Sequence, residues 1–416
     1  MTRDERQSIS IKKWLEAKGK GVLVGATGFG KTRVGLMIIK GILEKHPDRK
    51  ILVVVPTTTL KEQWLRLIDL WGFSFNCDVQ VINTVITKEW SCDLLIIDEI
   101  HLIFADTFKR VFQKVKYKWI LGLTATLERL DGKHEICKEY CPVFDSIPIV
   151  ECQINGWVSP YKEYQVIISV DDIDTYKQYN KEFTEHFEFF DFSWDKVQAC
   201  LGPNGFKYRY QLSKEMCPND EVKRKQIMKA ITYHSTAFMR TIQARKAFIN
   251  NHPKKLELCR KIINARPNSK IITFSNSISM AEKIGIGSTY SGKDSKKKGR
   301  MTIEEFSEHS TGVLNTIRKA DAGLDIPGLS VAIIIGNDSS PIKAVQRLGR
   351  AIRLENDKQA EIFNIVIEDT VECKWFSTSH ANQPFITIDE DGLSDVLEGK
   401  EPKPYVKKIR DFSFRY

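Results

Sequence analysis

Gly25, Gly30, Lys31 and Thr32 stand in the pattern G-x-x-x-x-G-K-[ST], inside the stretch GATGFGKT at 25–32. Glycines at that spacing let a backbone turn tightly and aim several N–H groups at one point, and the following helix N-terminus adds a positive dipole end. Lys31 would reach the β- and γ-phosphates of a nucleotide, and the Thr32 hydroxyl would ligate Mg²⁺. Ala26, Thr27, Gly28 and Phe29 complete the cradle. The plain alternative is a glycine turn between a strand and a helix. With glycine near 7% of residues, chance gives this pattern in roughly 1–2% of chains this long, so nucleotide binding is the stronger reading.

Two further groups carry chemistry. Asp98 and Glu99 close the apolar run LLIIDE at 94–99. A carboxylate at the end of a buried strand can hold Mg²⁺, often through water, and its neighbour can orient and deprotonate an attacking water. An acidic pair at a strand end is otherwise a common loop opening; its place some 65 residues past a phosphate loop favours function. Arg347, Arg350 and Arg353 recur at spacing three in SPIKAVQRLGRAIR, 340–353, and share one face of a helix. Stacked like charges cost stability unless an anion meets them. On a developing γ-phosphate charge such arginines contribute rate factors of about 10³–10⁵. Thr124 and Thr126, in WILGLTAT at 119–126, offer hydroxyls at another strand exit, either for a ligand or to cap the next helix. His134, Cys137, Cys141 and Cys152 lack a C-x-x-C knuckle, so no zinc site is expected.

The elements that must hold these groups alternate. Residues 22–24 run as a strand into the loop, and RVGLMIIKGIL continues as a helix. ILVVV at 51–55 suits a strand buried on both faces and stops at Pro56; TTTLKEQWLRLIDLW then follows with helical period, and VQVIN at 79–83 is a further strand. Residues 7–20 read as a helix ended by Gly19 and Gly21. The alternation predicts an α/β fold, a doubly wound parallel sheet with ligands at the carboxyl ends of its strands. It restarts with a helix at 254–263, the strand KIITFS at 270–275, IGSTYS, and VLNTIRKADAGLDIPGLSVAIIIG at 313–336. SGKDSKKKGR at 291–300 reads as an exposed or phosphate-contacting loop. Between the halves, EYQVIISV at 163–170 is a strand that either closes the first sheet or leaves it. FTEHFEFFDFSW at 183–194 favours packing over base stacking. The basic helical stretch 220–251 either tracks phosphates or is a solvated face.

Composition sets outer limits. A chain of 416 residues exceeds one ordinary core, and 42% apolar with 28% charged residues describes a soluble globular protein. No run of eighteen apolar residues exists, the N-terminus shows no secretory h-region, and nine scattered cysteines favour free thiols in a reducing compartment. No membrane partner and a cytoplasmic location are expected. A net charge of +10 suits a polyanionic partner.

GATGFGKT, PTTTLKEQW, DEIH and LTATLERLDGK, in this order, resemble the first motor domain of superfamily-two helicases, and the last is most similar to the XPB-like and phage UvsW-like branch. TFSNS, TIRKADAGLDIPG and QRLGRAIR resemble the motifs of the second motor domain. The resemblance implies two tandem RecA-like domains, each a mostly parallel sheet flanked by helices: 1–165, a helical linker or insertion at 166–251, the second domain at 252–370, and an appendage at 371–416. It implies ATP and Mg²⁺ as cofactors, with Gln7 reading adenine. The position before that glutamine, usually aromatic in the family, is Arg6 here. Asp98 and Glu99 become the metal and water residues, Thr124 and Thr126 the coupling pair. Gly323 and Asp325 would touch nucleotide, Arg350 and Arg353 would be the fingers, and Gln346 and Arg347 would organise the γ-phosphate side. Pro56, Thr57, Thr84, Ser275, Thr316 and Lys319 would meet nucleic acid.

The implied activity is ATP-driven movement along DNA, 3′-to-5′, with unwinding or branch remodelling in replication, recombination or repair. Single-stranded, forked or branched DNA is the expected partner ahead of RNA, with replication or recombination proteins beside a monomeric motor, and the phage-type motifs fit a viral source. The alternatives are a duplex translocase without strand separation, an RNA helicase, and a non-hydrolysing nucleic-acid clamp or annealing factor.

Overall fold

The computed structural model describes residues 1–102, 110–125, 127, 137–158, 160–290, 296–317, 326–337, 359–380, 384–403 and 405–407. Fifteen strands are described. The first eight are β1 (Lys20–Gly25), β2 (Ile51–Val55), β3 (Cys77–Val81), β4 (Trp90–Ser91), β5 (Leu94–Asp98), β6 (Val115–Lys116), β7 (Trp119–Thr124) and β8 (Val143–Ile147). Six of them form a parallel sheet in the order β3-β2-β5-β7-β1-β8, while β4 and β6 make a separate short ribbon.

The composition of the strands explains why this sheet is central. Every residue of β2 and β5 is buried. Ile51, Val53, Val55, Leu94 and Ile96 enter one core with Trp14, Val34, Ile39 and Trp64. Leu52, Val54, Leu95 and Ile97 enter another with Ile82, Val85, Ile100 and Val111. Alternate residues therefore point to opposite faces and meet helices on both, which is what a continuous apolar run without polar alternation requires.

The second sheet contains β9 (Tyr161–Ile168), β10 (Lys270–Ser275), β11 (Ser288–Tyr290), β12 (Gly312–Ile317), β13 (Val331–Ile334), β14 (Ala360–Ile367) and β15 (Ile386–Ile388). Their order is β11-β12-β10-β13-β14-β9-β15, again parallel throughout. The expected α/β architecture of two parallel sheets with a helical segment between them is what the chain builds.

The sheets decide one open alternative and shift two of the expected domain bounds. The strand expected at 163–170 leaves the first sheet altogether: it lies between β14 and β15 in the second, in register from Tyr161–Ala360 to Ile168–Ile367. A boundary at 165 therefore cuts a strand of the second sheet. Residues 371–380 and 384–397 are also no appendage. Helix Val371–Ser379 packs against β14, β15 adds an edge, and Ile388, Leu393 and Val396 are buried in the second core. Neither is visible from periodicity, because strand order is set by partners distant in sequence.

Four helices fill the middle: Ile173–Glu188, Trp194–Leu201, Gly205–Met216 and Glu221–Asn251. They build a small core of their own around Phe190, Val197, Cys200, Ile231 and Phe238, with Phe183, Phe187 and Phe189 packed on it. The aromatic run is thus mainly packing; Phe192 and Trp194 are its exposed members. Of the basic residues on the long helix, Lys223, Lys225, Lys229, Arg240 and Lys246 are exposed, whereas Arg245 lies 4.2 Å over the Phe183 ring.

The N-terminal helix Arg3–Glu16 starts earlier than the periodicity indicates because Thr2 and Glu5 form a capping box. It is fastened to β8 by a buried ion-pair network. Arg6 donates to Asp145 at 2.6 and 3.1 Å and to Glu151 at 2.7 Å, and Ser10 and Lys13 also donate to Asp145. Burial alone would raise the Asp145 carboxyl, but the bonds from Arg6, Lys13 and Ser10 outweigh it and hold its pKa at about 2. A depressed folded-state pKa stabilises fully above the unfolded value near 3.9 and is lost as pH falls toward 2. Asp145→Asn should therefore lower stability at neutral pH and flatten the loss below about pH 4. Denaturant midpoints measured against pH check this; an acid limb identical to the parent's would remove the assignment.

Candidate nucleotide site

Three adjacent central strands, β1, β7 and β5, end at one level. Val24 pairs with Thr124 and Asp98 with Leu123. Strands lie about 4.8 Å apart, so the exits at Gly25, Thr124 and Asp98 fall within about 10 Å across the sheet. This is the carboxyl edge at which ligands bind in open α/β sheets.

The loop after β1 owes its shape to its glycines. Gly28 and Gly30 have φ of +88° and +92°, and a Cβ on Gly30 would come 2.6 Å from Gln7 Nε2. The intervening Phe29 is fully buried, 5.9 Å from the Trp157 ring, which pins the loop from beneath. No side chain caps the helix Lys31–Leu43, which leaves its first turn suited to an anion. Lys31 Nζ donates to the carbonyls of Gly25 at 2.8 Å and Ala26 at 3.4 Å, curling back over the loop. Thr32 sits half-buried in the first turn.

Gln7 is 1% exposed and gripped at both ends of its amide. Its nitrogen donates to the Phe29 carbonyl at 2.8 Å, and its oxygen accepts from Arg33 at 2.7 Å. The residue expected to read adenine is thereby tied to the loop itself. Its neighbour Arg6, where an aromatic is usual, is committed to Asp145 and Glu151.

Asp98 is buried at the β5 exit, and Trp64 Nε1 donates to its Oδ2 at 2.8 Å. Burial pushes this carboxyl above the usual carboxylate range, against the opposing pull of the Trp64 bond, the Lys31 charge and the Glu99 N–H. A carboxyl so desolvated keeps its charge best beside a cation, so Asp98 fits a Mg²⁺ ion, which would neutralise phosphate oxygens there. Glu99 follows at φ +53°, an uncommon conformation for a non-glycine residue and one that turns the chain sharply off the strand. His101, 1% exposed, joins the two exits: its Nδ1 lies 2.9 Å from Thr124 Oγ1 and 3.3 Å from Glu99 Oε2. Sequence reading gave no role to His101 or Trp64. The signal for His101 was its place in DEIH; nothing in the local pattern singles out Trp64.

The remaining expected residues divide three ways. Pro56 and Thr57 are half-buried at the β2 exit, where Thr57 caps the helix Thr58–Leu70, and Thr84 is exposed on a short helix. Ser275 and Thr316 require correction: both side chains are buried, and their hydroxyls donate to the carbonyls of Ser277 and Thr273. In neighbouring interior strands these side chains serve the sheet and present no surface to a nucleic acid. Thr126, Lys319, Gly323, Asp325, Gln346, Arg347, Arg350 and Arg353 lie outside the described residues.

The chain is similar to known helicases along most of its length. Residues 1–84 and 78–129 match the family model "Type III restriction enzyme, res subunit", and 254–355 match "Helicase conserved C-terminal domain", together more than half of the chain. The DNA 3′-5′ translocase XPB2 of Sulfurisphaera tokodaii is 26% identical over 88% of this chain and 82% of its own length. Putative helicase 22 of Sulfolobus islandicus filamentous virus is 25% identical over 84% of this chain, which spans 61% of that relative. Among solved structures, S. cerevisiae Dbp5 bound to RNA and ADP BeF3 matches with a TM-score of 0.58 at 12% identity, covering 94% of this chain and 91% of that one.

The chain belongs to the XPB-like branch of the superfamily-two helicases. It is an ATP-hydrolysing helicase with two RecA-like sheets, and it binds nucleic acid. Among the described residues no helix is long and apolar enough to cross a membrane. Placing a methyl on the helicase's Gly30 would force a left-handed backbone on alanine, costing about 1–2 kcal/mol, and displace Gln7. Gly30→Ala should weaken ATP binding roughly tenfold by calorimetric titration; an unchanged Kd would detach this loop from the nucleotide.

Proposed function

We propose that this helicase moves along DNA in the 3′-to-5′ direction, using Mg²⁺-ATP hydrolysed at the carboxyl edge of the first sheet, and unwinds or remodels forked or branched DNA. The observation that carries it is the convergence of Lys31, Asp98, Glu99 and Thr124 at the ends of three adjacent strands, with His101 touching both Glu99 and Thr124. Lys31 would leave the loop carbonyls for phosphate oxygens. Glu99 would orient the attacking water and accept its proton. Thr124, bonded to His101, would pass the state of that carboxylate to the neighbouring strand exit. Gln7, through the Phe29 carbonyl, would report whether an adenine is seated.

Arg350 and Arg353 of the second motor domain would complete the site as fingers, with Gln346, Arg347, Gly323 and Asp325 on the nucleotide's other side. Positioned charge is the main source of rate in such a reaction, so turnover requires both domains to engage. Nucleic acid spanning Pro56, Thr57 and Thr84 on one domain and Lys319 on the other would hold them together. The net charge of +10 suits a polyanion, and the DNA named in the Sulfurisphaera tokodaii relative favours DNA as that polyanion. We take the motor as a monomer with one domain near 1–160 and a second made of 161–168 with 252–397, linked by the helices of 173–251.

ATP hydrolysis measured alone and then with single-stranded DNA, forked DNA and RNA at fixed salt tests this. Strong stimulation by DNA over RNA is expected; equal stimulation by RNA moves the function to RNA remodelling. Strand release from a forked duplex separates a helicase from a duplex translocase. Lys31→Ala should reduce hydrolysis at least a hundredfold, about 3 kcal/mol in barrier, while leaving salt-sensitive DNA binding in place. Normal turnover in that variant would remove the phosphate-loop assignment.

A further inference from the structure

Trp64 is fully buried, yet its indole N–H is spent on one acceptor, the Asp98 carboxylate oxygen at 2.8 Å. Three elements have been shaped around that contact. Trp64 comes from the helix Thr58–Leu70, which packs beside β2 and β3. Asp98 ends β5. The third element is the phosphate-loop helix Lys31–Leu43, which carries a glycine in its interior, Gly35. A Cβ there would lie 3.1 Å from Trp64 Cη2, tighter than nearly all real contacts, and 3.6 Å from Leu123 Cδ1. Glycine inside a helix costs roughly 1 kcal/mol relative to alanine, so space for the indole is a physical reason to keep it.

Packing alone does not require tryptophan. A phenylalanine or leucine would fill apolar volume in the core that Trp64 shares with Val34, Leu36 and Ile68 without a polar atom. The indole supplies one donor in a fixed direction, and no acceptor that could compete for a cation. A donor on Oδ2 fixes the rotation of the carboxyl group, while the Glu99 N–H takes Oδ1 at 3.0 Å. Both oxygens are thereby oriented before any ligand arrives.

We propose that Trp64 is a positioning residue for the metal-site carboxylate: its indole N–H presets Asp98 to receive the divalent cation that accompanies ATP, and Gly35 exists to admit the ring. This rests on the assignment of Asp98 to the Mg²⁺ given above. Trp64 touches neither nucleotide nor metal; it acts through Asp98.

The test uses the full chain and a fluorescent, non-hydrolysable ATP analogue, titrated once in excess Mg²⁺ and once in EDTA. In the parent protein Mg²⁺ should tighten binding. Trp64→Phe keeps a ring and removes the donor, so about tenfold of that Mg²⁺-dependent gain should disappear, the scale of a hydrogen bond to a charged group, with the EDTA affinity unchanged. An equal loss in Mg²⁺ and in EDTA would show a structural role only and overturn the proposal, as would no change in either. On an Asp98→Asn background, Trp64→Phe should have no further effect on the Mg²⁺ gain; a full additional loss would also overturn it. Should Trp64→Phe melt before binding can be read, Gly35→Ala pushes on the intact indole from the other side. The same selective loss of the Mg²⁺ gain is expected there, and none would overturn the proposal. Absence of any Mg²⁺ gain in the parent is a different failure: it would remove the metal reading of Asp98 itself.

Discussion

One buried carboxyl, Asp98, constrains the first half of the molecule. A carboxylate without water is costly, and proteins retain one only where hydrogen bonds and cations compensate. Around Asp98 these come from three separate elements: an indole from the helix Thr58–Leu70, a backbone N–H from the turn at Glu99, and the charge of Lys31. Each must be placed for the others to matter. The parallel sheet does the placing, because β1, β7 and β5 are neighbours and end together.

The same edge holds a chain of contacts that a nucleotide would perturb. Phe29 is buried, so the loop cannot drift; its carbonyl holds Gln7, and Gln7 lies on a helix locked to β8 through Arg6 and Asp145. On the other side Glu99 meets His101, and His101 meets Thr124. Two polar clusters therefore share the edge, one at the loop and one at the acidic pair and hydroxyl exit, and the Lys31 charge acting on Asp98 lies between them. The left-handed backbone at Glu99 sits in the second cluster, where the carboxylate proposed to orient water turns away from the strand.

The second half repeats the architecture with a different interior solution. Lys255 and Glu372, both fully buried, pair at 2.5 Å at the carboxyl ends of β13 and β14, and Asn337 joins them. Lys255 also donates to the Ile335 carbonyl, and Glu372 accepts from the Ile367 N–H. The exits of β13 and β14 are thus held by charge and hydrogen bonds together. Removing one partner from such a pair leaves an uncompensated ion, which is why both ends of the chain segment, 255 and 372, belong to one folding unit.

The sequence by itself determined the chemistry and the kind of element that carries it. The glycine spacing of the phosphate loop, the all-apolar runs of β2 and β5, and the carboxylates at a strand end are local patterns, read directly because backbone geometry fixes their consequences within a few residues. Tertiary structure alone decided strand order, which moved β9 and β15 into the second sheet, since hydrogen-bond partners over a hundred residues apart leave no periodic trace. It also decided which side chains have surface to offer. Ser275 and Thr316 match motif positions yet turn inward, and His101, Trp64 and Gly35 acquire meaning only where three elements converge. Burial and direction are properties of packed neighbours, and no single stretch of chain contains them.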